Sequence, residues 1–153
     1  MHWRLVVAKF YANGLKFSCQ KCSACCRFDP GYVFLTQPDV TKLALATSLS
    51  YINFIQVYCR WIPSGNGREL LSLKEKANYD CIMWGENGCG FYKDRPLQCK
   101  TFPFWESSVS SFAAWNAQAE TCPGMNNGEL HSQEEIDVLS TLHETEAIVL
   151  RSN

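Results

Sequence analysis

Apolar positions change period repeatedly along the 153-residue chain, and each change marks a candidate element. Residues 1 to 18 read as an extended lead-in, with Asn13-Gly14 offering a turn before Leu15-Lys16-Phe17. Gly31 to Leu35 is β-branched and aromatic, which predicts a short strand. Thr36, Pro38 and Asp39 then supply helix-start residues, and Val40, Leu43, Leu45 and Ala46 form a broadly apolar face. Ser50 is placed to cap a second helix, in which Ile52, Phe54, Ile55 and Tyr58 recur near a 3.6-residue period.

Pro63 to Gly67 reads as a turn, and Glu69 to Leu73 predicts a strand paired with Cys81 to Trp84 as a hairpin. After the Glu86-Asn87-Gly88 turn, Asp94-Arg95-Pro96 starts a short helix carrying Cys99. Val109 to Ala119, with Phe112 and Trp115, predicts a strand that Thr121 to Gly124 breaks. Ser132 and Glu135 have capping-box spacing, and Ile136, Leu139, Leu142 and Ile148 give an amphipathic final helix over about 132–150. The pattern describes an α+β fold: one small domain over residues 1–153, with short strands, several helices and irregular loops.

With 46% hydrophobic and 13% aromatic residues, the chain can bury a core. It has no signal-peptide pattern at its start and no run near the roughly 20 apolar residues that cross a bilayer. A soluble cytoplasmic protein is therefore expected. Lys and Arg total 14 against 15 Asp and Glu, so the chain lacks the basic footprint of a general nucleic-acid binder.

Nine cysteines change the picture. Cys19, Cys22, Cys25 and Cys26 fall in the run Ser-Cys-Gln-Lys-Cys-Ser-Ala-Cys-Cys-Arg, and two overlapping CxxC steps can turn several sulfurs toward one point. In a reducing compartment such thiols serve metal or redox chemistry rather than disulfides. Adjacent Cys25 and Cys26 should leave the backbone in different directions, which suits a pair serving or bridging two ions. Cys81, Cys89, Cys99 and Cys122 each sit beside turn-forming or helix-starting residues and complete a set of eight metal ligands. Cys59, beside Tyr58 on an apolar helix, reads instead as a small buried hydrophobe. Loops tied by these thiolates need little regular structure.

The CxxCxxCC run, the stretch Gly-Cys-Gly-Phe-Tyr-Lys-Asp-Arg-Pro-Leu-Gln-Cys-Lys-Thr-Phe-Pro-Phe at residues 88–104, and Cys122-Pro-Gly resemble the CxxCxxCC cysteine-cluster family. The resemblance covers about 19–124 and implies a zinc- or iron-chelating domain whose pattern matches the eight cysteines and leaves Cys59 outside. Lys100 stands where the family often has arginine.

Zinc, as two ions, suits adjacent Cys25 and Cys26 with downstream ligands scattered over several loops. The alternative is iron or an iron-sulfur cluster in an electron-transfer or oxidoreductase protein. It rests on cysteines at i, i+3 and i+6 with Cys122-Pro123 as a distant partner. No HExxH, phosphate loop or nucleophile elbow is present, and His2, His131 and His143 read as non-ligands, so no standalone enzyme is indicated. Lys16, Lys21, Arg27, Lys93, Arg95 and Lys100 flank the cysteines and can offset thiolate charge. Trp84, Phe91, Tyr92, Phe102, Phe104 and Trp105 suit a hydrophobic shell. Metal ions are the expected partners, with a further protein partner compatible with a structural or metal-handling role.

Overall fold

The computed structural model describes residues 7–152. In chain order the elements are strand β1 (Leu15–Phe17), helices α1 (Gln37–Ala46) and α2 (Tyr51–Tyr58), and strands β2 (Cys59–Gly65) and β3 (Arg68–Leu73). Next come β4 (Trp84–Gly85), β5 (Gly88–Cys89), α3 (Leu97–Thr101), α4 (Glu106–Val109), α5 (Phe112–Ala119), β6 (Met125–His131), α6 (Gln133–Thr145) and β7 (Leu150–Ser152). The fold is α+β, a mix of helices and short antiparallel strands. Among the described residues no helix is long and apolar enough to cross a membrane.

The helix starts follow the expected chemistry. The Thr36 hydroxyl accepts from Asp39 N while the Asp39 carboxylate accepts from Thr36 N, a reciprocal box that satisfies two orphan donors of α1. Ser50 caps α2 by accepting from Asn53 N. Ser132 caps α6, but the Glu135 carboxylate turns to His131 instead of closing a box. On α1 the buried stripe is Val40, Leu43 and Ala44, whereas Leu45 is 81% exposed.

Strand pairing departs from the expected local hairpins. β3 pairs with β2 and β7, and Cys81 makes only an isolated bridge to Glu75, two residues beyond β3. Asn66-Gly67, both left-handed, closes the β2–β3 hairpin as a two-residue turn. Gly31 to Leu35 is not a full strand; Phe34 bridges Ser72 and Leu35 N donates to the Leu71 carbonyl. Residues 109–119, expected as a strand, instead contain helix α5, capped by Ser111 and rich in alanine. Trp115 points into the core and Phe112, 64% exposed, points out. The last helix ends at Thr145, and the chain beyond it adds β7 to the sheet.

Two buried clusters result. One joins Leu35, Val40, Leu43, Phe54, Leu71 and Met83, from α1, α2 and the β2–β3 sheet. The other joins Tyr11, Phe104, Val109, Trp115, Met125 and Ile136, beneath the β1–β6 ribbon and the later helices.

Candidate metal centre

Between β1 and α1 the cysteine run forms almost no regular structure, only a 3₁₀ turn at Ala24–Cys26. Backbone bonds hold both its ends. Ser18 N donates to the Gly124 carbonyl (3.2 Å), bringing the Cys19 segment beside Cys122, and Cys81 N donates to the Cys26 carbonyl (2.8 Å). A Cβ on Gly124 would collide with the Ser18 carbonyl oxygen, so this close approach needs glycine. Lys21, Ser23 and Phe28 are left-handed (φ 53°, 67° and 80°), which curls the CxxC steps at a cost of about 1–3 kcal/mol each.

The downstream cysteines arrive on separate elements. Cys81 follows β3 through the Glu75 bridge, and Cys89 lies on β5 opposite Trp84. Cys99 lies on α3, whose Leu97 N donates to the buried Asp39 carboxylate (3.1 Å). Cys122 follows α5, its N–H donating to the Ala119 carbonyl (3.2 Å).

These segments enclose two adjoining cavities. The first, about 220 Å³, is lined by Cys19, Cys22, Cys25, Cys26, Cys89 and Cys122. The second, about 430 Å³, is lined by Cys25, Cys26, Cys81 and Cys99 together with polar and aromatic residues. Every one of the eight expected cysteines faces at least one of them, and Cys25 and Cys26 face both. Cys59 faces neither and packs in the first hydrophobic cluster. All nine cysteines are free thiols.

Adjacency suggested that Cys25 and Cys26 would diverge, but their sulfurs lie 3.8 Å apart. The left-handed Ser23 and the 3₁₀ turn redirect the backbone so that both side chains share a side. A tetrahedron with metal–sulfur bonds of about 2.3 Å has sulfur–sulfur edges of about 3.8 Å, so the pair matches one such edge. Among the described residues no three His, Cys, Asp or Glu side chains are drawn together tightly enough to hold an ion. The thiols ring the cavities rather than converge, yet eight cysteines around them with one preformed sulfur–sulfur edge fit a soft, thiolate-binding metal.

Burial and neighbouring thiols shift the cysteines in different directions. A hydrogen bond from Cys26 lowers the Cys25 pKa to about 7 against the opposing effect of burial, while the same contact pushes Cys26 up. Burial chiefly raises Cys81, Cys89, Cys99 and Cys122, and neighbouring thiols add to each. Arg95 opposes this at Cys25, Cys89 and Cys99. Its guanidinium sits 4.1 Å from the centre of the Tyr92 ring and donates to the Tyr92 carbonyl (2.8 Å).

The other flanking cations differ in use. Lys21 lies 4.8 Å from the Tyr92 ring centre, and Arg27 pairs with buried Asp80 (3.1 Å) and stacks 3.8 Å over Trp84. Of the expected aromatic shell, Tyr92, Phe102 and Trp105 line the cavities, while Phe104 belongs to the second cluster. Both His131 ring nitrogens are engaged, Nε2 with the Phe17 carbonyl (2.9 Å) and Nδ1 with Glu135 (3.0 Å), which keeps it out of the ligand set. His2 and the His143 side chain lie outside the described structure. Asp39 and Gly124 position the cysteines without a sequence signature of that role; only their helix-start and turn chemistry is legible.

A family model matches residues 18–123, beginning one residue before the cysteine run and ending one after Cys122. The chain belongs to the CxxCxxCC family. The family is described as a "putative zinc- or iron-chelating domain", and its four-cysteine signature is Cys19, Cys22, Cys25 and Cys26. An uncharacterised protein of Methanocaldococcus jannaschii is 34% identical over 98 residues, covering 61% of this chain and 48% of that protein. The chain thus spans about half the length of this relative. No solved structure matches it.

Proposed function

We propose that this CxxCxxCC protein chelates two metal ions, with zinc the favoured ion, in a structural or metal-handling role. The observation that carries the reading is the division of eight cysteines between two cavities that share Cys25 and Cys26. Cys25, Cys26, Cys81 and Cys99 would hold one ion, and Cys19, Cys22, Cys89 and Cys122 the other. This gives each ion four sulfurs, as closed structural zinc sites have. Zinc supplies a redox-inert tie between loops that have few hydrogen bonds of their own. A reducing compartment such as the cytoplasm keeps the ligands available.

Anaerobic purification followed by metal analysis and absorption spectroscopy tests this. About two zinc ions per chain without visible charge-transfer bands is the expected result. Stoichiometric iron with acid-labile sulfide and a reversible redox signal would replace the reading with an iron-sulfur electron-transfer role.

A further inference from the structure

The two cavities are unequal in a way that metal binding does not explain. The first, about 220 Å³, is smaller and carries six of the eight cysteines. The second, about 430 Å³, falls within the roughly 300–1,000 Å³ of small-molecule sites and extends beyond its four cysteines to Arg27, Asp29, Tyr32 and Tyr79.

Three features of that extension are built. Arg27 is immobilised: its Nε is spent on Asp80, and its plane stacks 3.8 Å over Trp84. Neither terminal nitrogen of its guanidinium has a hydrogen-bond partner among the described residues. Asp29, two positions on, likewise carries a carboxylate with no partner among them. Tyr32 and Tyr79 stand at the wall, 51% and 49% exposed; the Tyr32 ring is braced by Phe34 (5.5 Å between centroids) and by the Arg60 guanidinium 5.2 Å from its centre. Tyr79 is also left-handed (φ 68°), a strained state fixed by Asn78, whose side chain bonds both the Asp80 carboxylate and the Asp80 backbone N–H. The other charged groups lining the cavity are satisfied: Lys74 caps α2 through the Gln56 and Val57 carbonyls, and Glu75 takes the Gly31 N–H and faces Arg60.

One unused donor fork, one unused carboxylate and two flat apolar walls define a complementary shape. We propose that the second cavity is a binding site for a small zwitterion bearing a flat ring, of the aromatic amino-acid type. Its carboxylate meets the Arg27 terminal N–H groups, its ammonium meets Asp29, and its ring lies against Tyr32 and Tyr79. The site rests on the two-centre reading only for what lies at its floor, where Cys25, Cys26, Cys81 and Cys99 would face the bound molecule.

The test is calorimetric titration of L-phenylalanine into the full, metal-loaded chain, with metal content measured on the same samples. Saturable binding is expected, weakened about tenfold or more for 3-phenylpropanoate, which lacks the ammonium, and for 2-phenylethylamine, which lacks the carboxylate. Asp29→Asn and Arg27→Lys should each weaken it by a similar factor, and Tyr79→Asn, which tolerates the left-handed backbone, about fivefold. Asp29 and Tyr79 are exposed, so their variants stay informative if Arg27→Lys unfolds the protein by disturbing Asp80. No saturable heat with metal-replete protein, or variants that bind as tightly as wild type, overturns the ligand site and leaves the metal reading intact. Protein that purifies without metal but still binds phenylalanine separates the two in the opposite sense.

Discussion

Replacing Asp39 by alanine removes one carboxylate that serves two helices. Its Oδ2 accepts from Thr36 N (3.0 Å) at the start of α1, its Oδ1 accepts from Leu97 N (3.1 Å) at the start of α3, and the residue is 3% exposed. Alanine leaves both donors without their acceptor, at about 1–3 kcal/mol each when water cannot replace it. Thr36 is buried and Leu97 half-buried, so water can recover part of the second bond. Relief of the buried carboxylate's desolvation recovers some more. The Thr36 hydroxyl still caps Asp39 N and is not lost. The expected loss is therefore about 2–4 kcal/mol, a large share of the roughly 5–15 kcal/mol that holds a domain. Urea unfolding of the metal-loaded protein measures it. Because α3 carries Cys99, the variant should also surrender metal to a competing chelator sooner than wild type. A change within about 0.5 kcal/mol, as for an ordinary surface substitution, would refute the claim that this carboxylate joins the two helices.

Complete metal removal should loosen residues 18–28 and 81–101 first, since structural zinc contributes about 10–16 kcal/mol in zinc-finger peptides; unchanged amide protection there would contradict a structural ion. In metal-free protein near neutral pH, iodoacetamide should label Cys25, whose pKa is lowered to about 7, well before Cys59, pushed up to about 12 by burial; peptide mass mapping reads the order. Gly124→Ala should destabilise the protein by about 1–3 kcal/mol in thermal unfolding, because the added methyl meets the Ser18 backbone. At His131 burial disfavours the charged ring, but Glu135 and the Phe17 carbonyl outweigh it and hold the pKa above 6.5. The stability this supplies is complete below the unfolded value near 6.5 and is lost as pH rises through the raised folded value, so the gap between wild type and His131→Gln in urea should shrink from pH 5.5 to pH 8.

Local chemistry was legible in the sequence and distant pairing was not. Thr36, Ser50 and Ser132 cap the helices where their spacing placed them, because a cap depends on residues three positions apart. Cys99 lies on the short helix that Pro96 introduces for the same reason. By contrast Leu15 pairs with His131 and Leu70 with Leu150, contacts that no local window contains. Aromatic residues biased 109–119 toward strand, but Ala113, Ala114, Ala117 and Ala119 favour helix, and within α5 only Trp115 is buried. At the centre, the identity of the eight cysteines lining the cavities was readable from spacing and resemblance. The facing sulfurs of Cys25 and Cys26 were not, since left-handed Ser23 sets their direction and serine does not announce it.

The cysteines of the two cavities lie where the two buried clusters meet, and under the proposed two-ion reading this placement would tie metal binding to folding. Cys81 and Cys89 pack against the first cluster, Cys122 belongs to the second, and the 19–26 loop lies beside both sets. Beyond the thiols, Asp39 to Leu97 and Gln98 to Phe34 and Tyr32 join the segments through polar contacts rather than a shared apolar core. Charge is divided along the same line: residues 101–150 contain eight Asp and Glu and no Lys or Arg, while the cations that flank cysteines all precede residue 101. In the proposed four-thiolate sites a loaded ion would leave a charge of about −2, which those cations would offset. Without the ion, burial favours the neutral thiols of Cys81, Cys99 and Cys122, and the cationic side has less counter-charge there. On the proposed two-ion reading, ion binding, thiol deprotonation and closure of the seam form one linked equilibrium, in which a ligand lost from either cluster would weaken the junction of both.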